Sequence, residues 1–161
     1  MSVTRRQFVG ATAGGLVLGF TLNLTRRAMM TLGVPEAEAA AAATQVTAWL
    51  RIAPDDTVTI LSNHSEMGQG VWTTMPMLVA EELDADWSKV RVEHAPAAPD
   101  YVHATWGMQL TGGSSSTNSE FERLRKVGAT ARAMLVEAAA RRWKVPADGL
   151  KTENGFVLSG D

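Results

Sequence analysis

The sequence predicts an α+β fold: one mixed sheet with two main helices packed on it. The expected order is strand, strand, helix, strand, helix, strand hairpin. Three observations carry this expectation. β-Branched and apolar runs flank Pro54-Asp55-Asp56, the composition of a hairpin turn. Apolar residues recur at helical spacing over 71–83 and again over 119–143. Asn154-Gly155 separates two further strand-like runs near the end of the chain.

Each element has its own signal. Val46 to Ala53 alternates weakly, carries Trp49, Leu50 and Ile52, and reads as a strand. Thr57 to Leu61 is its returning partner. Val71, Met75, Leu78, Val79 and Leu83 step along one helical face, with Pro76 expected in the first turn or at a kink. Asp84-Ala85-Asp86 ends that helix. Val90 to His94 alternates and forms a third strand. Ala95 to Leu110 is a long connection, a kind that is often functional. Ser119 and Glu122 have capping-box spacing and open the second helix. Its packed face is Phe121, Leu124, Gly128, Ala131, Leu135, Ala138 and Arg142, and Pro146 follows its end. Leu150 to Leu158 is the closing hairpin.

Residues 1–43 read as a leader, and residues 44–161 as the globular part. Arg5-Arg6-Gln7-Phe8 is the pattern of a twin-arginine export signal, which directs a folded protein to the periplasm or the periplasmic face of the inner membrane. A short membrane anchor or a chance basic N-terminus is the other reading of this segment. The apolar stretch from Phe8 to Leu24 falls short of a spanning helix. Ala-rich sequence from Glu36 to Ala43 offers a cleavage site, while Arg26-Arg27 leaves open that the leader is retained.

The chain of 161 residues carries a net charge of −2. Removing Arg5, Arg6, Arg26 and Arg27 from 15 basic residues, and Glu36 and Glu38 from 17 acidic ones, leaves a balance near −4. That balance gives no electrostatic reason to expect a nucleic-acid partner. Cysteine is absent, which excludes disulfides, thiolate zinc sites and iron–sulfur ligation within this chain.

Two glycine-rich polar segments stand out. Glu66-Met67-Gly68-Gln69-Gly70 precedes the first helix, and Thr111-Gly112-Gly113-Ser114-Ser115-Ser116-Thr117 precedes the second. Glycine admits a ligand close to the backbone, and a helix start aims N–H groups at an anion. A grip on a phosphate-bearing cofactor is one reading. A plain strand-to-helix turn and a flexible linker with a helix cap are the other. Neither segment has the spacing of a P-loop or a dinucleotide fold. His64, His94 and His103 match no compact metal motif, so no metal ligand is assigned. Glu66 is a general base if buried, or simply favourable beside a helix dipole. Glu81 and Glu82 read as a solvated face.

These segments occur in a specific series. Ser65-Glu66-Met67-Gly68-Gln69-Gly70-Val71 is followed by Met77-Leu78-Val79-Ala80-Glu81-Glu82-Leu83 and Trp87-Ser88-Lys89-Val90-Arg91-Val92. Gly107-Met108-Gln109, Thr111-Gly112-Gly113-Ser114-Ser115-Ser116 and Leu124-Arg125-Lys126-Val127-Gly128-Ala129 come next. Together they resemble the N-terminal part of the large, molybdenum-binding subunit of the xanthine dehydrogenase and aldehyde oxidase family. The branch it looks like is the isoquinoline 1-oxidoreductase beta subunit group. The resemblance extends over essentially the whole chain.

The resemblance implies a molybdenum hydroxylase that oxidises an aldehyde or N-heterocycle with water as oxygen source. Its cofactor is molybdopterin with Mo, in the cytosine dinucleotide form, and iron–sulfur clusters lie on a partner small subunit. It implies cofactor contacts at Gly68, Gln69 and Gly70 in the first loop and at Gly112, Gly113 and Ser114 in the second. No residue matches the family's catalytic glutamate, which lies near the C-terminus of a much longer chain. The expectation is therefore a partial cofactor-binding domain, a fragment or a split subunit, completed by the remainder of the large subunit and inactive alone. The alternative is an exported anionic-ligand-binding or assembly module without catalysis of its own.

Overall fold

Leu50, Ile52, Val58 and Ile60 are buried on alternate positions of two runs that turn at Pro54-Asp55-Asp56. A computed structural model describes residues 2–4 and 44–160. There these runs are β3 (Leu50–Ile52) and β4 (Val58–Ser62), paired antiparallel with Leu50 opposite Ile60. Their turn closes through Asp56 N–H to Ala53 O at 3.0 Å, with Asp56 at φ 70°. β2 (Thr44–Thr47) precedes β3 and pairs with it antiparallel. β5 (Val90–His94) adds to β4 in parallel, giving a four-stranded mixed sheet in the order β2-β3-β4-β5.

A parallel pair needs a crossover, and α1 (Val71–Leu83) supplies it. It buries Val71, Met75, Pro76, Val79, Ala80 and Leu83. Pro76 falls in the second turn, past the expected first-turn position, and the helix runs on through it. Asp84 ends the helix in a left-handed conformation at φ 54°, donating its N–H to Ala80 O and Glu81 O. α2 (Ser116–Trp143) packs along α1 and buries Glu120, Leu124, Gly128, Ala131, Leu135, Ala139 and Ala140.

The closing hairpin stands in a second sheet. β6 (Leu150–Glu153) and β7 (Phe156–Ser159) turn at Asn154 and Gly155, both with positive φ, as a two-residue hairpin loop demands. β1 (Ser2–Thr4) pairs with β7, in the order β1-β7-β6. The hairpin tip is tied to the end of α1. Gly155 N–H donates to Asp84 O at 2.6 Å and Asn154 N–H to Asp84 Oδ1 at 3.1 Å.

The α+β class and the element order hold, with four differences of detail. The hairpin forms its own sheet with β1 rather than joining the mixed one. The strand expected from Val46 to Ala53 is broken at Ala48-Trp49, where Trp49 turns into the core against Tyr101 at 5.0 Å between ring centroids. α2 starts at Ser116, so Ser119 lies inside it and forms no capping box. Ser119 Oγ donates instead to Ser116 O at 3.2 Å. The packed face of α2 is rotated from the expected one. Leu124, Gly128, Ala131 and Leu135 face inward as expected, but Glu120 and Ala139 are buried while Phe121 and Arg142 are exposed, because Asn63, His64 and Arg123 pair the Glu120 carboxylate inside. The leader reading of residues 1–43, Arg5-Arg6 included, lies outside the described residues apart from β1 (Ser2–Thr4).

Gly128 sits where α2 crosses α1. A Cβ built there would fall against Val79 O and lie 2.9 Å from Glu82 Cβ, so the backbones approach too closely for any side chain. Arg125 Nε donates to Glu82 Oε1 at 2.7 Å on the same crossing. Gly128→Val is expected to lower unfolding stability by about 1–3 kcal/mol through overpacking, read by chemical denaturation. Unchanged stability would show that the helices separate without cost.

Candidate functional site

The first glycine-rich loop closes on itself. Glu66 Oε1 accepts from Gly68 N–H at 2.7 Å and Gly70 N–H at 3.0 Å, and Oε2 accepts from Trp72 N–H at 3.0 Å. The carboxylate thus caps the start of α1. Gly68 and Gly70 have φ of 94° and 82°, which the wrap around Glu66 requires and which side-chain-bearing residues rarely adopt. The hydrogen bond from Trp72 N–H, followed by that from Gly70, holds the Glu66 carboxyl below its ordinary value of 4.5. Gln69 is fixed from both ends of its amide: Oε1 accepts from Met67 N–H at 2.6 Å, and Nε2 donates to Ser65 O at 2.9 Å. One N–H and one lone pair of this exposed amide remain to face outward.

The second loop is held from beneath. Thr105 N–H donates to His103 Nδ1 at 3.1 Å, which leaves the ring proton on Nε2. His103 Nε2 donates to Ser115 Oγ at 2.9 Å, and Ser115 Oγ donates on to Gly112 O at 2.9 Å. Trp106 stacks on His103 at 4.3 Å between centroids. Its ring also covers Gly113, where a Cβ would lie 2.9 Å from Trp106 Cη2, and Gly113 has φ 59°. Gly113 and Ser114 are exposed, and among the described residues their amides donate to no group.

The two loops lie side by side. Ser65 N–H donates to Thr111 Oγ1 at 2.8 Å, joining them directly. Beneath this bond is a buried polar cluster. Glu120 Oε1 accepts from Asn63 Nδ2 at 3.2 Å and lies 3.7 Å from His64 Nε2. Arg123 Nη1 lies 3.3 Å from Glu120 Oε2 and donates to Val102 O at 2.9 Å. Burial pushes the Glu120 carboxyl up, but the His64 and Asn63 contacts and the Arg123 guanidinium outweigh it and hold it low.

The loops that carry Gly68, Gln69 and Gly70 and Gly112, Gly113 and Ser114 are therefore joined where each begins, at Ser65 and Thr111. The two loops differ from each other, however. Free amides are expected at both helix starts, but in the first loop the amides of Met67, Gly68, Gly70 and Trp72 are taken by Gln69 and Glu66. Glu66 is exposed and engaged with the backbone, so of its two readings the helix-start one stands and the buried base does not. His64 and His103 are buried in the cluster, and the described residues contain no group of three or more metal-ligating side chains. Sequence reasoning missed Asn63, Glu120 and Arg123, and it marked the loop of Thr111 and Ser115 without their contacts. Glu120 had a signal, since it stands four residues before Leu124 on the apolar face, where a charge has to be paired. The others join only through tertiary packing. A separate depression lined by Met77, Ala80, Glu81, Asp84, Ala85 and Trp87 includes no residue of either loop.

Comparison with known proteins gives concordant matches. Residues 10–160 match the molybdopterin cofactor-binding domain. The chain is 48% identical over 120 residues to the beta subunit of isoquinoline 1-oxidoreductase from Brevundimonas diminuta, covering 73% of this chain and 15% of that protein. It is 31% identical over 160 residues to the membrane-bound aldehyde dehydrogenase (pyrroloquinoline-quinone) of Gluconacetobacter polyoxogenes, covering 99% of this chain and 20% of that one. A nicotinate dehydrogenase subunit of Pseudomonas putida is 29% identical over 118 residues, 70% of this chain and 9% of its own. The chain thus spans a fifth or less of the length of these relatives.

Two outcomes follow from the loop geometry. A carboxyl held low keeps its amide contacts above its ordinary range, and these are lost as pH falls through the lower folded value. The Gly68, Gly70 and Trp72 amide resonances are therefore expected to titrate with a midpoint below 4.5, and a midpoint at or above it contradicts the cap. His103→Phe leaves Thr105 N–H unpaired and removes the donor to Ser115. It should cost about 1–3 kcal/mol in denaturant unfolding.

Proposed function

The chain belongs to the molybdopterin cofactor-binding domain family, and on that premise we propose that it is the cofactor-gripping segment of a molybdenum hydroxylase. The observation that carries this reading is the direct bond between the loops, Ser65 N–H to Thr111 Oγ1 at 2.8 Å. It supports a shared site in which the remaining amide groups of Gln69 and the amides of Gly113 and Ser114 act on one ligand.

The residues present fit such a group. A Cβ at Gly68 or Gly70 would meet nothing within 4 Å, and one at Gly112 meets only Leu110 at 4.0 Å, so the protein leaves these backbone faces open. Gln69 offers a donor and an acceptor already oriented by two hydrogen bonds. Gly113 and Ser114 offer amides for an anionic oxygen. Gly68, Gln69, Gly70, Gly112, Gly113 and Ser114 would hold the cofactor between them. When bound, molybdopterin supplies two-electron oxidation at Mo with water as the source of oxygen. The contribution of this chain is to bind and orient it. Glu66 is committed to the loop amides, so no base is assigned here.

The finer reading follows the family resemblance and the relatives. We take the cofactor as the cytosine dinucleotide form, and the electron path as iron–sulfur clusters on a partner small subunit. The remainder of the large subunit completes the site. The substrate is an aldehyde or an N-heterocycle, in keeping with relatives named for isoquinoline, nicotinate and an aldehyde. Arg5-Arg6 supports twin-arginine export to the periplasm.

The test is purification of the complex from its native host, with Mo and pterin quantified and the bound subunits identified. Stoichiometric Mo and pterin are expected. Their absence, or a quinone in their place, overturns the reading in favour of an assembly module or different chemistry. Gly112→Ala separates folding from binding, because the protein itself has room for the methyl group. It should leave the melting temperature unchanged and lower pterin and Mo content, and Gln69→Ala should likewise lower pterin and Mo content.

A further inference from the structure

The cluster beneath the loops plays no part in the contacts just described, yet it joins every segment that carries them. Glu120 is 0% exposed on the apolar face of α2. Its carboxylate meets Asn63 and His64, the two residues that lead into the first loop. Asn63 Nδ2 also donates to Tyr101 O at 3.0 Å, and Arg123 holds Val102 O. Tyr101 and Val102 lead into the segment that carries the second loop. The His64 ring meets the His103 ring edge-on at 5.9 Å, and from His103 the contacts run through Ser115 to Gly112 O.

A charge in this place is a poor device for stability alone. Replacing a whole buried ion pair by apolar side chains of similar volume often serves stability as well or better. The cluster is also incompletely satisfied. Among the described residues, Asn63 Oδ1, both ring nitrogens of His64 and Glu120 Oε2 are buried without a hydrogen bond, although Oε2 lies beside Arg123. What the polar groups do provide is direction, because each contact holds one particular backbone atom or ring edge.

We propose that Glu120 is a positioning residue that sets the first loop against the second. It acts through Asn63 and His64 on one side and through Arg123 on the other. Resting on the cofactor reading above, its role is to set the spacing between Gln69 and Gly112–Ser114. It touches neither cofactor nor substrate.

The test is amide hydrogen exchange, read by mass spectrometry on the full chain in its native complex. Wild type is compared with Glu120→Gln and with the apolar variant Glu120→Leu. Glu120→Leu leaves Asn63, His64 and Arg123 without their shared partner and lowers the melting temperature, and well below that midpoint exchange in peptides spanning 63–72 and 103–115 is expected to rise together by about tenfold, well beyond any rise in β3 and β4. Glu120→Gln should give a smaller rise in the same two peptides. Unchanged exchange, a rise in one loop only, or an equal rise throughout the chain overturns the proposal. Should Glu120→Leu fail to fold, Arg123→Met removes the Val102 tether from a part-exposed position, and the same paired rise is required. This readout is independent of the cofactor. Wild-type complex without pterin defeats the functional reading and leaves the exchange comparison standing. Quiet loops in the variants of a pterin-loaded complex defeat only the positioning role.

Discussion

Gly128 has no side chain, and α2 uses that space to lie directly on the backbone of α1 between Val79 and Leu83. The rest of the arrangement follows from this approach. The Glu82–Arg125 contact spans the same crossing, and the Glu120–His64 contact ties the N-terminal end of α2 to the residues that lead into the N-terminal end of α1. Each glycine-rich loop leads into one of those ends. Any side chain at Gly128 would push the helices apart and the loops with them. A stripe of small and medium residues, Leu124, Gly128, Ala131 and Leu135, keeps the contact close along the helix.

Two carboxylates organise the loops in opposite surroundings. Glu66 stands in solvent and is held ionised by backbone N–H groups, which shape the first loop around it. Glu120 is fully buried and is held ionised by side chains from two segments against the cost of burial. The first orders residues near it in sequence. The second orders residues more than fifty positions apart, Asn63 and Glu120. Local shape and relative placement of the loops thus rest on separate groups.

The loops themselves are not equivalent. The first has satisfied most of its own amides and presents a side-chain amide, Gln69, in a fixed orientation. The second presents bare backbone, with Trp106 and His103 packed behind it and Gly113 beneath the Trp106 ring. One side offers a single oriented polar group, and the other a stretch of N–H groups suited to a charged oxygen. A family that holds a large, anionic, metal-bearing pterin has use for both, and this chain matches that family over residues 10–160.

Sequence alone determined the elements and the family. α1 runs from Val71 to Leu83 and β5 from Val90 to His94 as their periodicity requires, and the turn at Asn154-Gly155 follows from residues that tolerate positive φ. These depend on neighbours in the chain, which sequence patterns record. Tertiary structure decided what depends on distant contacts. It broke the first strand so that Trp49 could enter the core, and it placed the last hairpin in a separate sheet. It turned Glu120 rather than Phe121 inward. It also set Ser65 against Thr111, forty-six residues away. Loop composition marks where a ligand can approach, but only packing of the helices brings two such places together.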